Sequence, residues 1–290
     1  MKCSGFTFVR NAIKFDYPVI ESINSILPLC DELIIAVGNS EDETLNLIKS
    51  IGSPKIKIIE TIWDDSLRQG GKVLSVETNK ALASVSEDSD WAFYIQADEV
   101  IHEKYLENIY NAMLHWKAHK SVEGLLFKYL HFYGSYDYVG ESYRWYRREV
   151  RIIRNNNKIN SYKDAQGFRY GGSRKLNVKL IDAFVYHYGW VKIPKAMQEK
   201  QKQFNLLWHA QDWVEKNIIN ADEFDYSNID ALCKFQGTHP EVMKDRIAKK
   251  NWSFEYDISI NKYSNKEKFK RFLEKLTGKR IGEYRNYKII

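Results

Sequence analysis

The stretch Trp91-Ala92-Phe93-Tyr94-Ile95-Gln96-Ala97-Asp98-Glu99 decides how the chain is to be read. Its first five residues are apolar without alternation, as a strand buried on both faces of a parallel sheet requires. The run then breaks into the polar cluster 96–99, and a helix follows with Tyr105, Leu106, Ile109 and Met113 on one face. A strand that ends in polar residues and turns back through a helix is half of a βαβ unit.

Upstream the same pattern repeats. Residues 6–9 form a short apolar run. Asp16 and Pro18 start a helix that carries Val19, Ile20, Ile23, Ile26 and Leu27 at helical spacing, and Pro28 is expected to stop it. Residues 33–37 are a second buried strand, followed by the polar turn Gly38-Asn39-Ser40-Glu41-Asp42 and a helix over 44–51 with Gly52 past its end. Ile56, Ile58 and Ile59 mark a third strand, and 73–84 reads as the helix that leads into Trp91. Gly70-Gly71-Lys72 lacks P-loop spacing and reads as a turn. This alternation predicts an α/β fold with a mostly parallel sheet covered on both faces. Ligands of such sheets bind beyond the carboxyl ends of the strands. The clusters 38–42 and 96–99 both fall there.

Downstream the character changes. Residues 125–190 read as short strands crowded with aromatics, among them Tyr129, Phe132, Tyr133, Tyr136, Tyr138, Tyr143, Trp145 and Tyr146. From Pro194 the chain turns helical, polar and rich in Gln and Lys. The expected organisation is a core over 1–193 and a mostly helical, basic extension over 194–290.

Composition bounds the function. With 44% hydrophobic and 28% charged residues, the 290-residue chain can bury a packed core. Three cysteines, Cys3, Cys30 and Cys233, have no metal-type spacing and form no disulfide framework, which suits a reducing compartment. The N-terminus leads straight into a strand, and no apolar run approaches the roughly 18 residues that cross a bilayer. A cytoplasmic protein is expected. The net charge is +6, yet residues 262–290 hold ten Lys/Arg against three acids, leaving 34 basic and 35 acidic residues elsewhere. The basic balance therefore belongs to the tail, which argues against nucleic-acid binding by the whole fold. Within that tail Phe269, Phe272, Leu273 and Leu276 lie at i, i+3, i+4 and i+7 among Lys266, Lys268, Lys270, Arg271 and Lys275. Two readings stand: a peripheral contact with the inner membrane face through 262–290, or an apolar stripe docked on the core.

Taken together, these residues resemble glycosyltransferase family 2 and its GT-A relatives over roughly residues 4–190. Val9-Arg10-Asn11 resembles the polar turn that cradles the nucleotide. The run 37–44 resembles the acidic loop after the second strand, with Gly38 or Asn39 where an aspartate usually meets the base or ribose and Asp42 further along. Thr78-Asn79-Lys80-Ala81-Leu82 resembles the helix before the metal-site strand, and Gln96-Ala97-Asp98-Glu99 the Asp-X-Asp motif, with Gln96 replacing its first aspartate. The resemblance implies a Rossmann-like, mixed and mostly parallel sheet with helices on both faces, plus a helical C-terminal extension. It implies a nucleotide-diphosphate sugar as donor and Mn²⁺ or Mg²⁺ as cofactor. Arg10, Asn11, Asn39, Asp42, Asn79, Ala97 and Asp98 would then face the donor, with a glycan or lipid-linked acceptor and an inverting outcome in surface-glycan synthesis.

The chemistry asks for specific groups. The leaving diphosphate needs a cation, and Asp98 at the mouth of a buried strand is suited to hold one. The other use of Asp98 or Glu99 is to cap the next helix. By resemblance, His187 in Tyr186-His187-Tyr188-Gly189-Trp190 completes the metal shell; otherwise it is a histidine satisfied within an aromatic cluster. By resemblance too, Asp164 is the base that takes the acceptor proton. Glu141 and Glu149 are its rivals, and a solvated loop aspartate is the alternative. Aromatics between Tyr133 and Tyr146 could pack against a sugar face or simply fill the core. Arg144, Arg147, Arg148, Arg151 and Arg154 could bind an anion or line an ordinary half-exposed strand. Two other functions remain open: a non-catalytic carbohydrate- or partner-binding protein, favoured by Gln96, and a sugar-phosphate nucleotidyltransferase, disfavoured by the missing glycines after the first strand.

Overall fold

A computed structural model describes residues 1–67, 69–209, 211–218, 221–278 and 280–290. The first half follows the alternation expected. Strands β1 (Cys3–Val9), β2 (Glu32–Gly38), β3 (Ile56–Thr61) and β4 (Trp91–Tyr94) alternate with helices α1 (Val19–Ile26), α2 (Thr44–Lys49) and α3 (Lys72–Ala83). After β4 come the short β5 (Glu99–Ile101) and α4 (Leu106–Trp116). Then follow β6 (Gly124–Tyr133), β7 (Tyr138–Gly140) and β8 (Arg148–Arg154). A small sheet of β9 (Ile159–Tyr162), β10 (Gly167–Tyr170) and β11 (Arg174–Lys175) precedes the long β12 (Asn177–Trp190).

The main sheet runs in the order β3-β2-β1-β4-β8-β6-β12. All pairings are parallel except those of β8, which opposes both β4 and β6. This is the mixed, mostly parallel sheet expected of the sequence, in the strand order of a GT-A fold. Side-chain alternation along the inner strands divides the apolar residues between two cores. Leu33, Ile35, Val37, Trp91 and Phe93 face α1, α2 and α4, whereas Ile34, Ala36, Ala92 and Tyr94 face α3 and the small sheet. Burial on both faces explains why these strands read as unbroken apolar runs.

Two local expectations change. Pro28 does not end the first helix outright: it sits inside a 3₁₀ turn over Leu27–Leu29 that prolongs it, since proline is tolerated where its missing N–H would be free anyway. Nor are the aromatic strands all short. β6 has ten residues and β12 has 14, because β12 spans the sheet edge, pairing with β6 along one side and with β5 near its end.

Beyond residue 193 come α5 (Pro194–Leu206) and α6 (Gln211–Asn217), then β13 (Leu232–Lys234), which extends the sheet beside β7. The five-residue α7 (Lys244–Ala248) and α8 (Asn265–Thr277) follow, and β14 (Lys288–Ile289) returns to pair with β12. The extension is thus helical near its ends, irregular over much of 221–264, and stitched into the sheet at two places.

Candidate active site

The carboxyl ends of β1 and β4 open into one cavity of about 510 Å³, closed on its far side by α5. Its wall includes Arg10 and Asn11 after β1, Gln96, Ala97 and Asp98 after β4, His187 of β12, Asp164, and Lys200 of α5. Six of the sequence-nominated residues, Arg10, Asn11, Ala97, Asp98, Asp164 and His187, therefore share one space.

The 96–98 loop is fixed from below by Glu99. This carboxylate is fully buried and receives Arg151 Nε and Nη2, each at 2.7 Å, the Tyr129 hydroxyl at 2.7 Å and the Gln96 N–H at 3.1 Å. The Arg151 guanidinium is 1% exposed. Such a two-pronged, desolvated pair gives geometric definition more than net stability. Antiparallel pairing of β5 with β12 sets Glu99 opposite His187, and the Tyr188 N–H donates to the Asp98 carbonyl at 2.8 Å. Strand register thus brings Asp98 and His187 side by side across 89 positions of sequence, from 98 to 187.

Hydrogen bonding assigns the His187 tautomer. His131 Nε2 lies 2.7 Å from the Tyr146 carbonyl, which only accepts, so that nitrogen carries the proton. Burial and the neighbouring His187 keep His131 well below the usual imidazole pKa, hence neutral, with a lone pair on Nδ1. His187 Nδ1, 3.1 Å away, must then donate to it. The lone pair of His187 is left on Nε2, which faces Asp98 Oδ1 at 3.7 Å. Two electron-rich atoms so placed call for a cation between them. Gly189 keeps the space open: a Cβ there would lie 2.7 Å from both Asp98 Oδ2 and His187 Nε2. One carboxylate oxygen and one imidazole nitrogen fit Mn²⁺, and Mg²⁺ less well. Among the described residues no cluster of three His, Cys, Asp or Glu side chains surrounds such a position, so further ligands would have to come from water or substrate.

A protein cation already stands beside this pair. Lys200 Nζ contacts Asp98 Oδ2 at 3.2 Å and donates to the Gly189 carbonyl at 2.9 Å. Burial works against the charge of Asp98, but Lys200 and its neighbours outweigh it and hold the carboxyl well below the usual carboxylate range. Behind them lies Lys192, wholly buried, donating to the Asp16 carbonyl at 2.6 Å. Both amino groups lie over the ring of Tyr17, at 4.7 Å for Lys192 and 5.0 Å for Lys200, and burial lowers the pKa of Lys192 well below the usual lysine range.

The opposite wall carries Asp164. Burial raises its pKa, which makes it a stronger proton acceptor once ionised. Its neighbours Lys163 and Ala165 both hold left-handed backbone, with φ of 55° and 62°, a costly conformation for residues with a Cβ. Gly71 approaches it closely, since a Cβ there would sit 3.1 Å from Asp164 Cβ.

Beside Arg10, the Trp63 indole lies against Gly38, where a Cβ would come within 2.3 Å of Trp63 Nε1. The Arg10 guanidinium is 5.5 Å from the Trp63 ring and pairs with Asp65 through Nη1 at 2.9 Å. Arg10 Nε and Trp63 Nε1 are buried donors without a hydrogen-bond partner.

Other nominated residues serve the backbone. Asn39 Oδ1 accepts from the Trp63 N–H at 3.1 Å. Asp42 accepts from the Lys14 and Thr44 N–H groups at 2.8 and 3.0 Å. Asn79 clasps Ser161 through both its amide atoms. None of these three lines the cavity. Glu149 is 2% exposed and absent from its wall, and Glu141 pairs with Arg271 on α8 at 2.6 Å. The arginines, read as a possible anion site, are mostly spent: Arg151 on Glu99, Arg147 on Glu274 and Glu283, and Arg154 on four carbonyls. Of the aromatics, Tyr146 reaches the cavity, while Tyr133, Tyr136, Tyr138 and Trp145 are buried in apolar clusters. Sequence reading passed over Trp63, Tyr17 and Lys200; the aromatic directly after the third strand was the one signal available for Trp63.

No protein-family model matches the sequence, and no curated protein does. Among solved structures the chain is similar to residues 1–349 of S. aureus TarS, at 15% identity over 77% of this chain and 67% of that one, with a TM-score of 0.39. For a longer TarS structure the figures are 16%, 77%, 40% and 0.39. Glucosyl-3-phosphoglycerate synthase from Mycobacterium tuberculosis, in complex with Mn²⁺, uridine diphosphate and phosphoglyceric acid, is similar at 19% identity, over 45% of this chain and 43% of that one, with a TM-score of 0.30. The chain thus spans well under half of the longer TarS structure and of the synthase.

Proposed function

We propose that the chain is a glycosyltransferase of the GT-A type, moving a sugar from a nucleotide-diphosphate donor to a hydroxyl of a glycan or lipid-linked acceptor with inversion. The observation that carries this reading is the facing of Asp98 and the His187 lone pair across a gap kept open by Gly189. It stands at the mouth of a cavity whose other walls carry Arg10, Trp63 and the carboxyl of Asp164. We take residues 1–193 as the catalytic core and 194–290 as an extension that contributes Lys200 to it.

In this reading the Arg10 guanidinium and the Trp63 ring, which line the cavity, meet the nucleotide. Asn11 acts one step back: its Oδ1 accepts from the Glu41 N–H at 2.7 Å and so ties the loop after β1 to the loop after β2. Asp98 and His187 would hold the divalent cation. When bound, that ion supplies Lewis-acid stabilisation of the diphosphate charge. Lys200 has a third N–H beyond those given to Asp98 and Gly189, and it points this donor at a phosphate oxygen. The acceptor oxygen attacks the anomeric carbon as the bond from that carbon to the diphosphate oxygen breaks. The hydroxyl proton passes to Asp164, and the electron pair of the broken bond leaves on the diphosphate.

The test is release of nucleoside diphosphate from a panel of nucleotide sugars, with Mn²⁺, with Mg²⁺ and with EDTA. Metal-dependent release supports the transferase. Pyrophosphate formation from sugar phosphate and NTP would point to a nucleotidyltransferase, and silence under all conditions to a binding protein.

A further inference from the structure

Helix α8 is amphipathic, but it is docked the wrong way round for a helix that packs on its own core. Its contacts with the fold are polar. Glu267 accepts from the Tyr143 N–H at 2.9 Å, Glu274 pairs with Arg147 at 2.8 Å, and Arg271 pairs with Glu141 at 2.6 Å. Ser264 caps its first turn and Gly278, with φ of 66°, closes its last. The apolar residues point outward: Phe269 is 61% exposed, Phe272 58% and Leu276 68%. Leu273 alone of the stripe is partly covered, and no residue of the helix is buried. The core-docking reading of this stripe is therefore not what the fold adopts.

Three large apolar side chains spaced i, i+3, i+7 form one face, and the exposed Lys266, Lys268 and Lys275 flank it. Next along the chain, Ile281 is 46% and Tyr284 66% exposed. A solvated helix held by ion pairs has no need of such a face, and clustered exposed apolar residues mark an interaction surface. The charge identifies the partner. Residues 262–290 carry ten basic against three acidic residues, while the rest of the chain is nearly balanced. Lysines that frame a row of phenylalanine and leucine can lie along lipid headgroups while the rings enter the acyl boundary.

We infer that the outward face of α8 is an interfacial membrane anchor selective for anionic lipid. Helix and cavity are linked through one segment: Tyr143 and Arg147 hold α8, and Tyr146 between them lines the cavity. The inference stands independently of the chemistry proposed above.

The test is co-sedimentation of the full chain with vesicles of phosphatidylcholine alone or with 30% phosphatidylglycerol. Each surface lysine is worth about 1 kcal/mol, or roughly fivefold in partition. Wild type should bind the anionic vesicles at least tenfold better than the neutral ones. The triple variant Phe269→Ser, Phe272→Ser, Leu276→Ser should lose at least tenfold in that binding. Its melting temperature should not change, because these side chains are exposed. The variant Lys266→Glu, Lys268→Glu, Lys275→Glu should lose the preference for anionic lipid. The inference is overturned if wild type ignores both vesicles or binds them equally. It is also overturned if the triple serine variant, melting as wild type does, still sediments with anionic vesicles.

Discussion

Glu149 offers a test in which sign and size both follow from its surroundings. It lies on β8 two residues before Arg151 and is 2% exposed, with Oε2 lacking a hydrogen-bond partner. The C-terminal segment seals it: a Cβ on Gly167 would lie 3.0 Å from Glu149 Oε2 and 1.9 Å from the Asn286 amide nitrogen. Burial pushes its pKa up to about 8, and Arg151, the Val150 N–H and Asn286 pull it back only in part. In the unfolded chain the same carboxyl titrates near its ordinary value of 4.5. Between these values the native state holds a proton that the unfolded state has released, so stability falls as pH rises through this window. Each unit of pH is worth about 1.4 kcal/mol, so from pH 5 to 8 the loss is on the order of 4 kcal/mol. Glu149→Gln keeps the shape and removes the titration. Its stability relative to wild type should be nearly unchanged at pH 5 and higher by on the order of 4 kcal/mol at pH 8. Urea unfolding of both proteins at pH 5, 6.5 and 8 measures this. A stability difference that does not vary with pH, or one that moves in favour of wild type as pH rises, would refute the reasoning. The same variant bears on the base: a carboxyl outside the cavity and protonated at neutral pH cannot accept the acceptor proton, so transfer should be unaffected.

Asp98→Asn should abolish turnover and remove the stabilisation that Mn²⁺ and a nucleoside diphosphate give wild type, about 2.7 kcal/mol at a hundred times Kd. Full activity in that variant, or in wild type with EDTA, sinks the assignment. Asp164→Asn should cut transfer to acceptor roughly a hundredfold or more, the range typical of a lost base, with donor and Mn²⁺ affinity preserved. Near wild-type transfer would move the base elsewhere. Mn²⁺ affinity, followed by electron paramagnetic resonance, should rise at least tenfold when nucleoside diphosphate is added, and equal affinity with and without it would rule out a site that protein and substrate share.

The strands were legible because burial on both faces leaves a mark in sequence: 33–37 and 91–95 are apolar without a break, and each ends in a polar cluster. The cavity was legible where a polar residue follows a strand end, as at Arg10 and Asp98. It was less so where a polar side chain can equally serve nearby backbone. Asn39, Asp42 and Asn79 carry the residue types of ligand contacts, but hydrogen-bonding a neighbouring N–H uses those same atoms. The arginines of 144–154 look like an anion site until Glu99, Glu274 and Glu283 are brought to them, and these lie far off in sequence. Lys200 was hidden for the same reason. Its partner Asp98 is 102 residues away, and its helix reads as mostly polar.

The charge balance at the cavity mouth shows what replacing the first motif aspartate entails. Glu99 is consumed by Arg151, and Gln96 is neutral, its amide donating to the Tyr94 hydroxyl at 3.3 Å. Asp98 is left as the single carboxylate beside the His187 lone pair, and Lys200 already offsets its charge. A divalent cation entering alone therefore meets one carboxylate whose charge is shared with an ammonium, and is repelled by that ammonium. A nucleoside diphosphate changes both terms. In the proposed reading its oxygens would supply the ligands that Asp98 and His187 leave open, and its charge would share the Lys200 ammonium with Asp98. Metal and donor must then bind each better in the presence of the other, by the same factor in either direction. In the proposed reading the gap beside Gly189 is accordingly half of a metal site, and the substrate would bring the other half.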